Sequence, residues 1–118
     1  VSGQLPWRAD GTLPKGKLGA DLTVDQGREA ARLCVLNALA VLQETLGSLD
    51  RIVKVVKVTG FVASAPGFVE QPAVVDGAST LVREIFGEAG CHARSAVGMA
   101  ELPRGVPIEV EFVIAFGP

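Results

Sequence analysis

The chain has 118 residues, 48% of them hydrophobic, with 11 basic and 13 acidic side chains for a formal charge of −2. Folding at this length buries about two-thirds of the chain's surface, enough for one domain with a real core and too little for two. The abundance of aliphatic side chains excludes a disordered chain, and the balanced charge leaves no basic footprint for a nucleic-acid duplex or an anionic membrane. No apolar run approaches the roughly 20 residues of a membrane span, and no signal peptide is visible. A soluble, cytoplasmic protein is expected, with no nucleic-acid or membrane partner. Cys34 and Cys91 lie far apart; a disulfide between them is conceivable, but a core of this size does not need one, and two free thiols are expected.

Taken in chain order, Val1 to Pro6 reads as the end of a strand entering a turn, so most of that strand is expected to precede Val1. Trp7 to Gly19 is loop, with Asp10-Gly11 as a turn and Pro14 as a breaker. Thr23 followed by Gln26 is a capping-box pattern and predicts a helix from Val24 to Leu46, stopped by Gly47. From Leu33 to Leu42 only Asn37 is polar, so this helix is expected to be covered on more than one side.

Ile52 to Val62 is rich in β-branched residues and predicts a strand, with Val55-Val56 breaking the alternation as a bulge or a doubly covered stretch would. Ala73 to Phe86 reads as a second helix, ended by Gly87. Ala93 to Ala100 and Pro107 to Phe116 alternate as strands around a turn at Leu102 to Gly105. In the last strand Ile108, Val110, Phe112, Ile114 and Phe116 share one face, and Glu109, Glu111, Val113 and Ala115 the other. The order predicts an α+β single domain over residues 1–118, a mixed β-sheet with two α-helices packed on one face. The second sheet face, taken to carry the carboxylates together with Arg94 and small residues, is neither a core nor fully wet, and a second copy of the chain would cover it.

Arg94 carries the most chemistry. Its same-face neighbours Ala96 and Gly98 are small, which leaves room for a ligand, and its planar guanidinium grips a carboxylate through two parallel hydrogen bonds. The plainer reading is a salt bridge to Glu109 or Glu111 on the next strand. Either glutamate could serve as acid/base or position a water, and spacing does not choose between them. His92 is the only histidine, so there is no His-pair metal site, and its neighbour Cys91 points the other way in an extended chain. Cys34 reads as inert core, and Asn37 as an amide bonded to backbone. The glycines form no phosphate-binding pattern, and no histidine base serves Ser2 or Ser95.

Ser2-Gly3-Gln4, Ala93-Arg94-Ser95, Leu102-Pro103 and Ile108-Glu109-Val110-Glu111, in that order along the chain, closely resemble the RidA family, also called YjgF/YER057c/UK114 and often labelled "endoribonuclease L-PSP". Gly60-Phe61-Val62, Glu70-Gln71-Pro72 and His92 to Gly98 look closer to a less characterised bacterial branch. The resemblance implies a chorismate-mutase-like fold and a homotrimer with sites between subunits. It also implies hydrolysis of reactive 2-imino acids to 2-keto acids and ammonia, without metal or organic cofactor.

By position, Arg94 matches the family's carboxylate-binding arginine, the Gly3 N–H a second donor to that carboxylate, and Glu109 the glutamate associated with the attacking water. Ala96 stands where many deaminating members have a cysteine that acts through its backbone, and the family's N-terminal tyrosine has no counterpart. The alternative is therefore a non-catalytic trimer that binds small carboxylates such as 2-keto acids. Ribonuclease action rests on the family label alone, since the sequence has no basic groove, histidine pair or stacking aromatics for it.

Overall fold

A computed structural model describes all 118 residues. Helix α1 spans Val24–Leu46, strand β1 Ile52–Ala63, helix α2 Gln71–Phe86, strand β2 Ala93–Met99 and strand β3 Ile108–Phe116. The sheet order is β2-β1-β3, with β1 parallel to β2 and antiparallel to β3.

Local chemistry sets the ends of α1. The Thr23 hydroxyl accepts from the Gln26 N–H at 3.2 Å, while the Gln26 side chain accepts from the Thr23 N–H at 2.9 Å, so two otherwise unpaired donors are satisfied. Gly47 closes the helix at φ 83°, a left-handed conformation that only glycine adopts without strain. Helix α2 begins two residues earlier than the sequence predicts, at Gln71, whose amide donates to the Phe68 carbonyl at 2.8 Å. Pro72 then sits in the first turn, where its missing N–H costs nothing.

Both helices lie on one face of the sheet. Val58, Val62, Val110 and Phe112 point toward them from the strands, and Ala31, Cys34, Val35, Val75, Ala78 and Val82 meet them from above. A buried Val or Ile side chain contributes roughly 1.5–3 kcal/mol relative to exposure, and this layer is made almost entirely of such residues. Glycines permit the closest approaches. A Cβ on Gly60 would fall 2.8 Å from Val75 Cγ1, and one on Gly77 would run into the backbone of Arg28. Helix α1 is covered by α2 and β3, but its outer side is not: Leu36 is 52% exposed.

The pairing of β1 with β3 shifts register between Val55 and Lys57, so the break at Val55-Val56 is a bulge. The face away from the helices is uncovered and partly apolar, with Val97, Met99 and Val113 exposed on it. The N-terminal residues run along the free edge of β3: Gln4 exchanges both backbone hydrogen bonds with Val110, and the Phe112 N–H donates to the Val1 carbonyl at 3.0 Å. Two residues, Ser2 and Gly3, lie between those paired positions where β3 has only Glu111, which makes a second bulge. Asn37 fastens the next stretch, its amide donating to the carbonyls of Leu5 (2.9 Å) and Trp7 (3.1 Å). No helix is long and apolar enough to cross a membrane.

Candidate functional site

Arg94 lies one residue into β2, and its side chain leans over α2. The Nη1 atom donates to Asp76 Oδ1 at 2.7 Å and to Ser79 Oγ at 3.2 Å, both from the near face of α2. The side chain is only 24% exposed. Its Nε and Nη2 donate to nothing within the chain, and these two nitrogens form the edge of a guanidinium that takes a carboxylate side-on.

Arg94 borders a cavity of about 340 Å³, shared with Asp76, Ser79, Arg83, Cys91 and His92. Two arginines against one aspartate leave the lining positive. The His92 ring is held below its ordinary value of 6.5, first by burial and then by Arg94 and Arg83, so it is neutral near pH 7. Its Nδ1 lies 3.0 Å from the Ala93 carbonyl, which places the proton on Nδ1 and leaves Nε2 as an acceptor. A larger recess of about 640 Å³ lies between the N-terminal loop and α1, but its polar lining, including Arg8, Asp25 and Glu29, is exposed and holds no convergent set of partners.

The register corrects the expected grouping of residues. Gly60 is flanked by Ala96 and Val110, and Phe61 by Val97 and Glu109. Arg94, Ala96 and Gly98 therefore face the helices, while Glu109 and Glu111 face the opposite way. Strand β1 also separates β2 from β3, so the cross-strand salt bridge from Arg94 to either glutamate does not form. Strand spacing and rise put the Cα atoms of Arg94 and Glu109 roughly 14 Å apart, with their side chains on opposite sides of the sheet.

The small residues beside Arg94 make room for α2, not for a ligand. Ala96 packs against the core, and a Cβ on Gly98 would stand 2.9 Å from Gln71 Nε2. Gly3 and Glu109, in contrast, are brought together. The Glu109 side chain folds against the Gly3 bulge, where a Cβ would lie 2.7 Å from the Glu109 carboxyl carbon. No backbone or side-chain acceptor in the chain takes the Gly3 N–H.

Three members of the Arg94 site escape a reading by strand parity: Asp76, Ser79 and Arg83. Their i, i+3, i+7 spacing places them in one polar stripe along α2, and that stripe was the available signal. No group of three or more His, Cys, Asp or Glu side chains is arranged to hold a metal ion.

Comparison with known proteins identifies the fold and the family. The family model described as "YjgF/chorismate_mutase-like, putative endoribonuclease" matches residues 1–108. Protein TCP17 of Trypanosoma cruzi is 50% identical over 115 residues, covering 97% of this chain and 72% of its own length. The crystal structure of protein Atu1372 from Agrobacterium tumefaciens superposes with a TM-score of 0.96 at 44% identity, covering 99% of this chain and 76% of that one. A second, described as a "putative endoribonuclease" from Shewanella oneidensis MR-1, gives 0.88 at 41% identity, covering 92% and 72%. The relatives thus include a trypanosome protein as well as bacterial ones. With two helices on a three-stranded mixed sheet of the chorismate-mutase-like kind and a matching family model over nearly its whole length, the chain belongs to the YjgF/RidA family.

Proposed function

We propose that the chain is a cytoplasmic RidA-type deaminase that binds small 2-imino acids through Arg94 and hydrolyses them to 2-keto acids and ammonia. The observation that supports this most directly is the guanidinium itself. It is three-quarters buried and held on one nitrogen by Asp76 and Ser79, its Nε and Nη2 have no partner in the chain, and the residue borders a cavity sized for a small acid. A carboxylate bound at that edge fixes the substrate while its imine carbon stays open to one water, and orientation of this kind lowers the barrier by making attack effectively unimolecular.

The chemistry balances without a cofactor. Water oxygen bonds to the imine carbon, the C=N pair moves to nitrogen, and Glu109 accepts the water proton. Glu109 returns that proton to the nitrogen, which completes the carbinolamine; the hydroxyl proton then passes to the nitrogen through Glu109 as C=O forms, the C–N bond breaks and ammonia leaves.

Within one chain Glu109 and the Gly3 N–H cannot reach a ligand held by Arg94, since β1 lies between them and the faces differ. The proposal therefore requires a homotrimer in which one subunit supplies Arg94 and the backbone beside Ala96, and a neighbour supplies Gly3 and Glu109. The unpaired outer edge of β2 and the exposed Val97, Met99 and Val113 are surfaces that such neighbours would cover. The same separation favours the second reading, a trimer that holds 2-keto acids at Arg94 without turnover.

The test is the hydrolysis rate of 2-iminobutyrate, generated in situ by a dehydratase, for wild type and Arg94→Ala side by side. Acceleration that vanishes in the variant supports the deaminase. No acceleration by a folded wild type that nonetheless binds 2-ketobutyrate, with binding lost in Arg94→Ala, supports the binder. A monomer by light scattering at micromolar concentration removes the shared site.

A further inference from the structure

We infer that Asp76 and Ser79 are positioning residues that aim Arg94, fixing which edge of its guanidinium meets a bound carboxylate; this rests on the reading of Arg94 as the carboxylate-binding residue. The two residues sit one turn apart on α2 and converge on a single atom. Nη1 has two protons, and one oxygen from each partner accounts for both. The planar guanidinium is thereby fixed about its long axis, and the Nε–H and the nearer Nη2–H form a fork of parallel donors with no partner in the chain. A flexible arginine would lose much of its freedom on binding a ligand; one already held in place has less to lose.

Asp76 admits an opposite role, as an internal carboxylate competing with the ligand. Its placement argues against that. A competitor would span the fork, whereas Asp76 touches only Nη1 through one oxygen, and Ser79, which is neutral, shares the same atom. Arg83 on the same cavity offsets the negative charge that Asp76 brings, so the lining stays attractive to an anion.

The experiment measures 2-ketobutyrate affinity by calorimetry for wild type, Asp76→Asn, Asp76→Ala, Ser79→Ala and Arg94→Ala, and repeats Asp76→Ala in an Arg94→Lys background. Asp76→Ala is expected to weaken binding about tenfold and Ser79→Ala about threefold, with Asp76→Asn between wild type and alanine. In the lysine background, which has no fork to aim, Asp76→Ala should weaken binding no further. A merely structural role would carry its loss into both backgrounds.

Nitrogen NMR of the ligand-free protein reads the aiming directly: the Arg94 Nη resonances should be separate in wild type and averaged in Asp76→Ala. Tighter or unchanged binding in Asp76→Ala overturns the positioning role while leaving Arg94 its own. Equal affinity of wild type and Arg94→Ala, or no binding by wild type, overturns the reading of Arg94 and the inference with it.

Discussion

Replacing Gly77 by alanine tests the contact that holds the two helices together. A Cβ there would lie 2.8 Å from the Arg28 Cα and 2.9 Å from its carbonyl carbon, and closer still to the carbonyl oxygen. All three atoms belong to the backbone of α1, so relief means prying two helices apart across a packed layer. Overpacking typically costs 1–3 kcal/mol, and a backbone obstacle puts this site near ~3. Alanine's better helix propensity returns about 1 kcal/mol, leaving a net loss of about 2 kcal/mol.

At about 2.1 cal/mol/K of unfolding entropy per residue, a loss of that size lowers the melting temperature of this chain by roughly 8 °C. Urea unfolding followed by helical circular dichroism should show a lower midpoint at an unchanged slope, with protein concentration held fixed because assembly contributes to stability. Gly27→Ala is the matched control. Its Cβ would meet Leu18 Cδ1 at 2.9 Å and Val74 Cγ1 at 3.0 Å, side-chain atoms that need to give by only a few tenths of an ångström where Gly77 meets backbone, and a smaller loss of about 1 kcal/mol is expected. A Gly77→Ala variant as stable as wild type would refute the account of how the helices meet.

Asn37→Ala removes both amide bonds to the N-terminal segment and should cost about 1–2 kcal/mol, with faster hydrogen exchange at the Gln4 amide as its local signature; unchanged exchange would disprove the tether. Burial pushes the Cys34 thiol far above its ordinary value while Cys91 is exposed, so a thiol reagent should label one cysteine in the native protein and the second only on unfolding. His92 is held below 6.5 in the folded state, so the unfolded chain takes up its proton first as pH falls. Its stabilising contribution is present above pH 6.5 and is lost as pH drops toward the folded value. His92→Gln should flatten that part of the stability curve, and a ring titration midpoint above 6.5 in the native protein would contradict it.

What the sequence made legible was whatever neighbouring residues decide among themselves. The span Val24–Leu46 is bracketed by a capping box and a glycine stop, and the alternation of β3 follows from one pleated strand. Within each strand the two faces sort correctly for the same reason. Which of those faces meets the helices is a different matter, because only the pairing partner fixes it. The consecutive strands β2 and β3 looked like neighbours, but β1 lies between them, and Gly60 under Val75 turns the Arg94–Ala96–Gly98 row toward α2. Arg94 was therefore singled out from its own strand, and its grouping with the glutamates fails because the register puts them on the other face. Its actual partners sit on a helix, where the sheet's period of two carries no information.

The central position of β1 also shapes how the chain reaches its fold. Val58 pairs with Arg94 on one side and Phe112 on the other, and α2 lies in sequence before either partner. No two strands in the sheet are joined by a hairpin. A tight local turn therefore cannot start the sheet, and every ladder has to close a long loop before any of its hydrogen bonds form. Such topologies fold slowly for their size, and β1, the most β-branched segment, has both edges bare until its partners close onto it. Folding speed, more than final stability, is then where this chain is most exposed to aggregation, and slowing the closure of α2 onto β1 would lengthen that exposure.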